Sequence, residues 1–165
     1  MTNCMIMIMV LAALLTPGGA LAQVDQSAMS LRGIPGFVVQ VQSTPQLDHR
    51  ELQAVAELEL RRLGIRVLTA EEVPSTPGAA GLLISVALTQ AAEAPLAGGM
   101  TTIEVLQAAS LRRQPDIAGA FVTWRSGGPW IAGVNRIQNV SESSVKSEVA
   151  LFLNAFRAAN LKWTP

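Results

Sequence analysis

The stretch Leu47–Leu68, reading LDHRELQAVAELELRRLGIRVL, constrains the fold more than any other part of the chain. In one run it encodes a helix start, an amphipathic helix, a helix stop and the entry to a strand. Asp48 followed by Glu51 is a capping-box-like opening, in which the Asp carboxylate accepts a free N–H of the first turn. Gly64 stops the helix, because glycine enters the left-handed conformation without a Cβ penalty. Beyond it, Ile65, Val67 and Leu68 are apolar or β-branched and suit a strand. At about 100° per residue, Leu52, Val55, Ala56, Leu60 and Leu63 fall in one sector, with Arg50, Gln53, Glu57 and Arg61 opposite. Glu59 interrupts the apolar sector, where a carboxylate without a partner is costly.

The flanking segments read as strands. Phe37, Val39 and Val41 alternate with Val38, Gln40 and Gln42 after Pro35-Gly36. With the helix and Ile65–Leu68 this predicts a βαβ unit with parallel strands and a right-handed crossover. Glu71–Ala80, with two prolines and a glycine, reads as loop. Leu82–Thr89 is a third strand, Ala91–Gly99 a flexible connection and Thr101–Arg113 a fourth strand, with Gln107 as a polar intruder on its inner face. Gly119–Ser126 is a fifth, its Trp124 directed inward, and the short links predict an antiparallel meander. Gly127-Gly128-Pro129 is expected to break the ladder, leaving Trp130–Gly133 as a short extra strand or ordered loop. A second amphipathic helix starts between Asn139 and Glu142 and carries Val145, Val149, Phe152, Phe156 and Ala159 on its inner face. The expected class is α+β: a two-layer sandwich with a mixed five-stranded sheet, both helices on one face, element order β-α-β-β-β-β-α and strand order 2-1-3-4-5.

The first 22 residues contain no charged side chain. The run Met5–Leu15 is too short for a stable span, and Thr16-Pro17-Gly18-Gly19 followed by Ala20-Leu21-Ala22 supplies a small-x-small cleavage site. The expected organisation is a cleavable signal peptide at 1–22, a flexible arm at 23–34, one domain at 35–160 and a tail at 161–165. That predicts export through a Sec-type signal to a periplasmic or secreted location, with no stable membrane span after cleavage. Cys4 leaves with the signal, so the mature part has neither a disulfide framework nor a thiol nucleophile. Its 12 basic and 12 acidic residues balance without long runs of either sign, which gives no support for nucleic acid or anionic lipid as a partner.

Catalytic chemistry has little to work with. His49 is the single histidine, so neither a zinc cluster nor a triad can be assembled, and no phosphate-cradling glycine loop is present. No catalytic residue, metal ligand or cofactor is therefore assigned, and the chain is expected not to be an enzyme. Glu59 is the first candidate ligand or partner residue, with Arg62, three residues on, as the group that would neutralise it. Arg112 and Arg125 accompany Glu104 on the open sheet face, either as an anion or partner site or as cross-strand pairs. Trp130, beside Gly128-Pro129, and Trp163, in the tail, are the candidate exposed anchors.

Three local patterns, Leu60-Arg61-Arg62-Leu63-Gly64-Ile65, Thr123-Trp124 and Phe152-x-Asn154-x-Phe156-x-x-x-Asn160, together resemble a group of small exported bacterial proteins of unknown function, over about Pro35–Asn160. The element order is similar to that of α/β modules accompanying envelope assemblies, such as the N-terminal domain of the Tol-system propeller protein. The resemblance implies no catalytic residues. The expectation is a non-enzymatic interaction or scaffold module of the cell envelope, whose partner is another envelope protein and whose oligomeric state is open. The alternative is a small-ligand binder with a pocket between helices and sheet near Glu59.

Overall fold

The computed structural model describes residues 28–91 and 93–161. The signal peptide expected at 1–22, residues 23–27 of the expected arm and Trp163 lie outside the described residues. From residue 37 onward, the described residues form four strands and two α-helices in the order β1 (Phe37–Ser43), α1 (His49–Arg62), β2 (Ala80–Thr89), β3 (Leu96–Leu111), β4 (Gln114–Gly133) and α2 (Ile137–Asn160). Short 3-10 segments at Ala70–Ser75 and Val134–Arg136 add to the two helices expected. The sheet order is β1-β2-β3-β4, with β1 and β2 parallel and the remaining pairs antiparallel.

The α1 unit has the ends its residues prescribe. Asp48 Oδ1 accepts the N–H groups of Arg50 and Glu51, at 2.9 and 3.2 Å. Gly64, at φ +82°, lets the Gly64 and Ile65 N–H groups reach back to the carbonyls of Arg61 and Leu60, which closes a Schellman motif. Leu52, Ala56 and Leu60 are fully buried, whereas Leu63 is exposed at the helix exit.

The five-stranded sheet is corrected to four strands, because Ile65–Leu68 does not become a strand. It lies beside β1 through one isolated bridge, Phe37 to Val67, with Phe37 N–H donating to Arg66 O and Leu68 N–H to Phe37 O. Pairing stops there because the next edge groups of β1 are already taken. Gln53 of α1 donates to Val39 O and accepts the Val41 N–H, both at 2.9 Å. A side-chain amide thus satisfies the backbone groups that a fifth strand would have used.

The glycine pairs are a second correction. Gly98-Gly99 lie inside β3 and Gly127-Gly128-Pro129 inside β4, so neither breaks the ladder. In both places the missing side chain makes room: a Cβ on Gly127 would overlap the Thr101 carbonyl and the Thr102 side chain. Trp130 is consequently a strand residue and not part of a loop.

The core lies between the sheet and the two helices. Phe37 packs edge to face on Phe152 and Phe156, with centroids 5.3 and 5.6 Å apart, and Trp124 meets Phe152 at 5.5 Å. The segment that precedes β1 joins this core instead of fraying. Leu31 is completely buried, Asn160 at the end of α2 bonds Gly33 N–H and Leu31 O, and Gln107 donates to Ser30 O and Thr123 Oγ1. The polar intruder on β3 is therefore a tether whose amide nitrogen donates twice.

Candidate functional site

The sequence-selected residues do not converge. Glu59 pairs with Arg62 at 3.2 Å on the outer surface of α1, its side chain 23% and the arginine 67% exposed. Arg125 pairs with Glu104 on the sheet face turned away from the helices, and Arg112 stands exposed at the β3–β4 turn. Trp130 is half-buried beneath α2, its Nε1–H donating to Thr101 Oγ1 at 3.0 Å, and so is not a free anchor.

Two other features stand out. The first is the β3–β4 hairpin, which continues beyond the sheet. β2 pairs with β3 only as far as Leu106, so the segment from Ala108 to Ala120 is a two-stranded ribbon, exposed at every residue except Leu111. The four β3 residues 108–111 extend it by roughly 13 Å. Ile117, Phe121 and Val122 are 47%, 36% and 51% exposed along it and at its root.

The second feature is a groove of about 300 Å³ between α2 and the outer strand β4, walled by Gly128, Pro129 and Trp130 on one side and Ser144, Ser147 and Glu148 on the other. Helical spacing puts Glu148 between Val145, Val149 and Phe152 on the inward face of α2, and it is only 7% exposed. Its Oε2 accepts the Ser126 hydroxyl at 2.8 Å. Its Oε1 sits 3.2 Å from where a Cβ on Gly128 would stand, so glycine leaves the carboxylate its space. Ser144 Oγ and Trp130 Nε1 meet on the completely buried Thr101 Oγ1, each at 3.0 Å, which fixes the groove wall. Glu148, which is not among the candidates of the sequence, meets the same criterion as Glu59, a carboxylate in an apolar helical sector. An apolar hollow of about 420 Å³ at Val38, Val73 and Pro74 lies on the open sheet face, without a charged side chain in its lining.

Among the described residues no group of three or more His, Cys, Asp or Glu side chains is placed to hold a metal ion. No described helix is long and apolar enough to cross a membrane.

No family model matches the chain, and no curated protein matches it. Solved structures with similarity include the PelC dodecamer from Paraburkholderia phytofirmans, at 20% identity and TM-score 0.46 over 75% of this chain and 91% of that one. A singly substituted form of the same dodecamer matches at 19% identity and TM-score 0.46, over 72% and 88% of the two chains. A provisionally assigned lipoprotein from Caulobacter crescentus CB15 matches at 8% identity and TM-score 0.37, over 82% and 93%. None of these three is the Tol-system propeller protein, so that expected likeness is not shown.

Proposed function

We propose that the protein is an exported, non-enzymatic interaction module of the bacterial cell envelope, which engages another envelope protein through the β3–β4 ribbon. The observation that carries this reading is the exposure of Ile117 on a hairpin beyond the sheet and of Phe121 and Val122 at its root. A two-stranded ribbon is marginal in water by itself, and its outer edges offer unpaired N–H and C=O groups that another chain can complete. Residues of this size on such an element gain most from a partner that buries them.

The test is a photo-crosslinking amino acid at Ile117 in the native host, with Gln42 on the far strand as control. Crosslinking to one defined envelope protein at 117 only, lost in Phe121→Ser/Val122→Ser with an unchanged melting temperature, supports the reading. Identical adduct patterns at both positions, or no adduct at 117 in correctly exported protein, overturn it.

A further inference from the structure

We infer that the α2–β4 groove is a recognition site for an organic ammonium group, with Glu148 as its anionic anchor and Trp130 as its aromatic wall. This stands apart from the ribbon, which lies at the other end of β4. Among the described residues Glu148 takes part in no ion pair, although it is more than nine-tenths buried. Among the described residues its single hydrogen-bond partner is the Ser126 hydroxyl on Oε2, and its Oε1 is directed toward Gly128 and the groove. A buried carboxylate without a counter-charge is costly, and a cation entering the groove removes that cost.

The surroundings select the kind of cation. A divalent metal needs several hard ligands, and one carboxylate among hydroxyls does not supply them. A protonated amine needs an anion, a few oxygen acceptors and, to advantage, an aromatic surface. The groove has Glu148, the Ser144 and Ser147 hydroxyls and the Trp130 indole. About 300 Å³ suits a small headgroup or one extended side chain, at the lower end of ligand-site sizes. Two sources share this chemistry, a free amine and the lysine side chain of a peptide.

The experiment titrates the mature protein with propylammonium, with propanol as neutral counterpart and with Nα-acetyl-lysine methylamide, reading the Trp130 indole N–H resonance. Saturable shifts with an ammonium and none with propanol are expected. Preference for the lysine derivative identifies a peptide source, and preference for propylammonium a free amine. Glu148→Gln weakens binding by about tenfold or more, the scale of a lost charge-assisted bond. Ser144→Lys exchanges the Ser144–Thr101 bond for an internal ammonium one helical turn before Glu148, and it abolishes binding. Equal shifts with propanol, unchanged binding in Glu148→Gln, or no shift with either ammonium overturns the assignment. Should Glu148→Gln fail to fold, Ser144→Lys decides alone, because retained ammonium binding there is incompatible with the site.

Discussion

The six-membered ring of Trp130 occupies the space that a side chain at residue 99 would fill, and residue 99 is a glycine. The two face each other across β3 and β4 as register partners. This contact holds the indole against the sheet, where it reaches Thr101 and walls the groove beside Glu148. Gly99→Ala is accordingly an overpacking substitution, expected to cost about 1–3 kcal/mol as a lower urea midpoint. Trp130→Val in the same background should recover part of the loss. An unchanged midpoint for Gly99→Ala alone would show that the ring moves freely.

Glu59 and Arg62 form an exposed i,i+3 pair. Pairs of this kind contribute about 0–1 kcal/mol. Glu59→Gln should therefore leave the denaturation midpoint nearly unchanged and leave ammonium binding in the α2–β4 groove intact. A loss of several degrees in melting temperature would contradict the exposed geometry.

Gln107 holds the segment before β1 to the hairpin root through Ser30 O and Thr123 Oγ1, at 2.8 and 2.7 Å. Gln107→Leu removes both bonds and leaves the acceptors to find water. The expected cost is about 1–3 kcal/mol, concentrated in that segment. Hydrogen exchange at Leu31 should accelerate, while exchange at Ile84 in the sheet centre stays slow.

Glu72 is held below the ordinary carboxylate range, first by the Thr69 N–H at 2.8 Å and then by the Arg66 guanidinium at 3.2 Å. Glu71 is lowered as well, chiefly by its own backbone N–H. A depressed folded value means that the stabilisation is complete above the unfolded carboxylate pKa, about 4.3, and is lost as pH falls through the folded value. The Thr69 amide resonance should move in that acid window in the native protein. In Glu72→Gln the shift should shrink to the smaller contribution of Glu71, and an identical titration in both would refute the assignment.

The α1 unit was legible in the sequence because its determinants are local: Asp48 caps, Gly64 enters the left-handed region and Leu52, Ala56 and Leu60 repeat at helical spacing. The inward direction of Trp124 followed equally from alternation along one strand. The fifth strand failed because Ile65–Leu68 has strand-forming residues, yet the edge it would pair with is occupied by Gln53 from a different element. No local pattern announces such a competitor. Glu148 was missed although its spacing marked it.

By itself the sequence determined the α+β class, the ends of α1 and most of the inward face of each helix, Leu63 and Glu148 being the exceptions, since capping, left-handed glycine and periodicity act over a few residues. Tertiary structure alone decided that Gly98-Gly99 and Gly127-Gly128 are strand positions and not turns. A glycine serves a turn through its own backbone freedom and a strand through its neighbour's bulk. Only the packed sheet supplies that bulk, as Trp130 over Gly99 and Glu148 beside Gly128.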